Sequence, residues 1–158
     1  MGKIREFERS TKYHNTVTVN DEDSSIVWAG FRVAKRAKVT IAKDNYNQLK
    51  ASHDGYKAIG IKHTRSFHID GSDILISDFI NKNKKSNAHF HFHPDCKLEV
   101  DSSNNQVIVD NVAITFNGAI QIEQKPYLYA FGYNNRLQAE KISVTFKNKL
   151  ETKIKIKG

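Results

Sequence analysis

The chain has 158 residues, enough for one domain that buries roughly two-thirds of its unfolded surface, and its 39% hydrophobic and 27% charged residues exclude a mainly disordered polymer. Twenty-five Lys and Arg against seventeen Asp and Glu leave a formal charge of +8, which favours an anionic partner: nucleic acid, anionic lipid or an acidic polysaccharide. No apolar run approaches the roughly 20 residues of a membrane helix, MGKIREFERS has no apolar stretch to form a signal-peptide core, and the single cysteine, Cys96, excludes an internal disulfide.

Period-two alternation of apolar and polar residues runs through the chain and predicts strands. Phe31, Val33, Ala37, Val39 and Ile41 share one face of the first long strand, with Arg32, Arg36, Lys38 and Thr40 on the other. DNYNQLKAS at 44 to 52 is the one candidate for a helical turn or two. At Asp54-Gly55 a turn is expected in which Gly55 takes an unusual backbone angle and Tyr56 packs. Ile59, Ile61, Phe67 and Ile69 line a further strand that ends at Asp70-Gly71, a hairpin turn from which ILISDFI at 74 to 80 returns.

Further turns are expected at Pro94-Asp95, at DSSNN (101 to 105), and at Asn117-Gly118, which reads as a hairpin between VAITF and AIQIE. Tyr127, Tyr129 and Tyr133 in YLYAFGY share one strand face, where they either stack on sugars or pack a strand edge. TKIKIK alternates as an edge strand does when its outer face is charged against edge-to-edge pairing. Roughly a dozen strands at this spacing predict an all-β fold, a multi-stranded antiparallel β-sandwich in one domain over residues 1 to 158.

AHFHFHPD at 88 to 95 places His89, His91 and His93 on one strand face about 6 to 7 Å apart, with Phe90 and Phe92 on the other. Two such imidazoles can reach one zinc ion, which needs three or four ligands in all. Asp95 is adjacent, and His53, His63 and His68 are candidates to complete the set across the sheet. A catalytic metal here would make the chain a cupin-like metal-binding protein, although no glycine-rich signature accompanies the histidines. In the simpler reading the phenylalanines define the buried face and the histidines a wetter one, with no cofactor.

RSTKYHNTVTVN (9 to 20), ASHDGYKAIGIKHTRSFHI (51 to 69), DILISDFI (73 to 80) and HFHFHPD (89 to 95), in that order, resemble the C-terminal β-domain of heparinase II/III-like polysaccharide lyases. The resemblance implies a sandwich-type domain that follows a helical toroid, and the toroid is absent from this sequence. It also implies β-elimination on uronate-containing glycans, with the main acid and base on the toroid and one cleft histidine on the β-domain. The family's His-Asn-Thr pattern matches His14, Asn15 and Thr16, so His14 is the implied cleft histidine, with Asn15 and Arg9 as expected substrate contacts. A histidine suits the role because it can donate to, or oppose in charge, a uronate carboxylate near neutral pH.

A structural zinc in some family members uses a histidine two positions after the cleft histidine, where this chain has Thr16, a poor ligand. Tyr13 is not expected to replace the missing acid, because in an extended stretch it faces away from its neighbour His14. The expected function is therefore one wall of an acidic-glycan cleft, paired with a helical toroid domain and inactive alone. The resemblance implies a periplasmic or extracellular setting. A stand-alone module binding acidic polysaccharide and the cupin-like metal protein remain alternatives. No recognisable nucleic-acid-binding motif is present, and no membrane partner is expected.

Overall fold

The computed structural model describes residues 3–28 and 32–156. After a short helix, α1 (Lys3–Glu8), come twelve strands: β1 (Val17–Val19), β2 (Ile26–Trp28), β3 (Arg32–Ala34), β4 (Val39–Asn45), β5 (Gln48–His53), β6 (His63–Asp70), β7 (Asp73–Ile80), β8 (Lys85–His91), β9 (Leu98–Asp101), β10 (Gln106–Val109), β11 (Val112–Gly132) and β12 (Asn135–Ile156). Ten of them form one antiparallel sheet in the order β4-β5-β6-β7-β12-β11-β10-β9, and β1 joins it through β8, which pairs with β12. The fold is all-β. No helix among the described residues is long and apolar enough to cross a membrane.

The two longest strands organise the molecule. One edge of β12 follows β11 along its length, while the other pairs first with β8 over Lys141–Lys147 and then with β7 over Lys149–Ile154. Asn148, at the change of partner, has φ 64° and donates its side-chain N–H to the Ile80 carbonyl at 2.9 Å. Across from it Gly118 has φ 93°, and a Cβ there would lie 2.7 Å from the Lys149 carbonyl oxygen. Together they turn a corner that folds the sheet over on itself. Phe116 from one side of the corner then meets Phe90 from the other, with ring centroids 5.3 Å apart.

Between the two halves lies the core, which includes Val17, Val19, Ile80, Ala88, Val107, Phe116, Ile142, Val144, Phe146 and Leu150. Tyr56 joins it and ties the halves together by donating its hydroxyl to the Val17 carbonyl at 2.7 Å.

Several expectations are corrected. Asn117-Gly118 is a bulge within β11 and not a hairpin turn, because pairing with β12 continues on both sides of it. DNYNQLKAS forms the β4-β5 hairpin, with Asn45 opposite Gln48, and the helix lies instead at the N-terminus. The strand expected from Phe31 to Ile41 is two strands in different sheets, and Phe31 itself lies outside the described residues. Ile59 and Ile61 precede β6, in and just after a 3-10 turn, rather than lying in the strand. TKIKIK does not form a sheet edge, since β7 and β11 flank it and two of its lysines meet Asp73. Gly55 is required for space and not for its backbone angle, as a Cβ there would lie 2.5 Å from the Ser24 carbonyl. The hairpin at Asp70-Gly71 and the turns at Pro94-Asp95 and 102 to 105 form as expected.

Candidate functional site

Alternation along β1, β8 and β12 separates an apolar face from a polar one. Val17, Ala88 and Val144 are register partners facing the core, so Thr18, Asn87 and Thr145 point the other way. Two further rows cross this polar face. One contains His89, Ser143 and Glu123, and the next contains His91, Lys141 and Lys125. The N-terminal segment passes over these rows and brings residues 12 to 15 to the histidine strand.

His14 closes a 3-10 turn (Thr11–Tyr13), with its backbone N–H bonded to the Thr11 carbonyl at 3.1 Å, and its ring is exposed. Its loop is fixed from below. Asn15 accepts at Oδ1 from the His91 backbone N–H (2.8 Å) and from His91 Nδ1 (3.0 Å), while its carbonyl accepts from the Arg65 guanidinium at 2.6 Å. The side-chain oxygen expected to touch substrate thus clamps the histidine strand. Arg9 lies in the turn that closes α1, where its backbone N–H bonds to the Arg5 carbonyl at 3.2 Å.

Arg65 in turn rests on a buried network. Its Nε and second terminal nitrogen grip the two oxygens of Asp78 at 2.8 and 3.0 Å, a bidentate pair. His63 Nε2 lies 2.6 Å from the same Asp78 carboxylate, and His63 Nδ1 lies 3.0 Å from His53 Nε2. The Gly55 N–H donates to His53 Nδ1 at 3.2 Å. The tautomers follow: His53 receives at Nδ1, donates from Nε2 to His63, and His63 donates from Nε2 to Asp78. Burial opposes charge on Asp78, but His63 and the Arg65 guanidinium outweigh it and hold the carboxyl below its usual range. Burial, aided by His63, pushes His53 down to about 4.

The strand histidines have separate partners. His89 is buried, with Nε2 3.0 Å from Thr18 Oγ1 and Nδ1 3.2 Å from Ser143 Oγ, and burial with nearby Lys141 lowers it to about 3. His91 packs edge-on against Tyr127, with centroids 4.8 Å apart, and burial with Lys141 and His14 lowers it to about 4. His93 lies 3.3 Å from Asp95 and stacks edge-on with Tyr129. Among the described residues no three His, Cys, Asp or Glu side chains gather as a metal would require, so the ligand set of a cupin-like centre is not assembled. His53 and His63 bond to each other, and His68 bonds to Gln48. Tyr127 donates to the Phe92 carbonyl at 2.7 Å, whereas Tyr133 is fully exposed at the β11-β12 tip.

Lys141 completes the arrangement. The residue is 8% exposed, its partly buried ammonium donates to the Lys12 carbonyl at 3.1 Å, and it sits 5.4 Å from the Tyr13 ring centroid. Burial, then Lys12 and Lys125, push it below its usual range. Arg65, Asp78 and the lysines are not among the residues expected from the sequence. The first pair was within reach, because counting back along the hairpin from the Asp70–Asp73 pair puts Arg65 opposite Asp78. The lysines had no comparable signal, since Lys12 reaches Lys141 only when the N-terminal segment folds across the sheet.

The family model described as heparinase II/III-like, C-terminal, matches residues 2–157. A heparinase III gene product aligns with 98% of this chain at 18% identity and a TM-score of 0.79. The heparan sulfate lyase HepC from Pedobacter heparinus aligns with 99% at 16% identity and a TM-score of 0.78. In both cases the chain spans 26% of the larger protein's length. No curated protein sequence matches it. Matched over nearly its whole length and sharing the fold of these lyases' corresponding region, the chain belongs to the heparinase II/III-like C-terminal domain family.

Proposed function

We propose that this chain forms one wall of the substrate cleft of a lyase acting on uronate-containing glycans, with His14 facing the sugar and a helical domain supplying the rest of the site. The observation that carries this reading is an exposed imidazole on a loop held rigid by buried groups: His14 next to Asn15, which is fixed by Arg65 and His91. Exposed rings on unconstrained loops make poor recognition groups, because ordering them on binding costs affinity.

In β-elimination a base removes the proton beside the uronate carboxylate. The electron pair forms a carbon–carbon double bond and expels the glycosidic oxygen, which takes a proton from an acid. Negative charge builds on the carboxylate as the proton leaves, so a donor or cation opposite it lowers the barrier. His14 is suited to that part, because an imidazole N–H can donate a hydrogen bond to the carboxylate. Base and acid are assigned to the helical domain by the family resemblance, and the chain alone is expected to bind without turnover.

Calorimetric titration with heparan-type and alginate-type uronate oligosaccharides tests this. His14→Ala is expected to weaken binding at least tenfold, a loss of about 1.4 kcal/mol or more. Binding unchanged in the variant would instead make the chain a glycan-binding module that does not use His14.

A further inference from the structure

Beside the His14 loop an open groove runs between the polar sheet face and the N-terminal segment, lined in part by Lys12, Tyr13, Trp28, His89, Lys125 and Lys141. Four carboxylates and four lysines line it, Lys85 among the lysines, but they are not paired one to one. Of its carboxylates, Asp23 accepts from the Thr11 backbone N–H, Asp21 from the Asn87 side chain, and Glu123 pairs with Lys125. Glu6, on α1, is the remaining acid. Lys141, the most buried of the lysines, has no carboxylate partner among the described residues, and the charges acting on it are those of Lys12 and Lys125.

A partly buried ammonium with like charge near it, held by one carbonyl and the Tyr13 ring, is a cation without an ionic partner. Native proteins rarely keep a buried lysine without a partner. Lys125 and Lys141 are cross-strand neighbours, with Lys125 also paired to Glu123, and Lys12, whose carbonyl takes the Lys141 ammonium and whose own ammonium lies 5.3 Å from the Phe7 ring centroid, lines the same groove. The exposed Trp28 and half-buried Tyr13 give the same groove aromatic walls.

We propose that this groove is an anion subsite that takes one carboxylate or sulfate group between Lys12, Lys125 and Lys141. The oxyanion accepts from the ammonium groups, and the aromatic walls receive an attached sugar ring. That the group belongs to an acidic saccharide rests on the function proposed above, whereas the anion site itself does not. The subsite also lies on the Tyr13 side of the His14 loop, so a chain of sugars can engage both.

Lysine side-chain nitrogen resonances report on the site directly. Sodium sulfate, titrated against sodium chloride at matched ionic strength, is expected to give a saturable shift at Lys141. Lys125→Ala and Lys12→Ala alter exposed side chains and are expected to weaken that response at least tenfold, which avoids relying on Lys141→Met, a change in a buried position. A response to sulfate no different from that to chloride overturns the subsite. Heparan-type oligosaccharide that displaces sulfate identifies a glycan as the source of the anion. Saturable sulfate binding without displacement supports the site with a free oxyanion as ligand and counts against the glycan reading alone. Oligosaccharide binding that is lost in His14→Ala but leaves the Lys141 resonance unmoved overturns the subsite and leaves the cleft reading intact.

Discussion

At the scale of residues, ionisable groups carry both the framework and the site. Asp78 is fully buried, and its two oxygens are satisfied by Arg65 and His63. Asp78→Asn leaves the Arg65 cation half buried without its counter-ion and is expected to cost about 3–5 kcal/mol, read from urea denaturation. The same change releases the Arg65 grip on Asn15, so the His14 loop loosens as well.

The pH dependence has a definite sign. His53, His89 and His91 titrate at about 4, 3 and 4 in the folded chain. Unfolded histidine titrates near 6.5, so below about pH 6.5 the unfolded chain binds more protons and stability falls as pH is lowered. Asp78, depressed in the folded state, adds to the loss only below its unfolded value of about 4. Melting temperature is therefore expected to decline from pH 7 to pH 5, before any carboxylate titrates appreciably. A flat profile over that range would contradict the buried, neutral histidines.

At the scale of elements, the corner between Gly118 and Asn148 decides the architecture. Gly118→Ala places a Cβ against the Lys149 carbonyl at a positive φ and is expected to destabilise by at least about 1–2 kcal/mol. Asn148→Gly keeps access to that backbone region but loses the bond to Ile80, and a loss of roughly 1 kcal/mol is expected. Thermal melts of the two variants compare these directly. Local sequence misleads here for a physical reason. Asn-Gly supplies residues that tolerate positive φ, and such residues serve a two-residue hairpin or a bulge equally well. Pairing with β12 on both sides makes the difference, and that is a long-range contact. The Asp70-Gly71 turn was legible because its flanking strands pair with each other.

At the scale of the whole molecule, the formal charge of +8 acts with the groove lysines on any acidic ligand. Binding of uronate oligosaccharides is expected to weaken several-fold between about 0.05 and 0.5 M salt, because the screening length falls well below 10 Å over that range. Calorimetry at the two ionic strengths gives the ratio, and an unchanged affinity would remove electrostatics from recognition. The folded-over sheet also explains how residues distant in sequence serve one loop. Asn15, Arg65 and His91 come from the N-terminal segment, β6 and β8; backbone pairing holds the two strand residues, and they in turn hold Asn15.

The sequence by itself determined the strand-rich character, the alternation along the histidine strand and the Asp70-Gly71 hairpin, from whose register the Arg65–Asp78 pairing follows although it was not among the expectations. Period-two alternation and a two-residue turn are local properties, which is why they could be read residue by residue. Only the tertiary structure decided that Asn117-Gly118 bends a strand, that Asn15 clamps His91, and that Lys141 is buried beside Lys12 and Lys125. Those outcomes depend on which strands pair across the corner and which segment crosses the polar face. Such contacts join residues far apart in sequence, 76 positions for Asn15 and His91 and 129 for Lys12 and Lys141, and no local pattern encodes them.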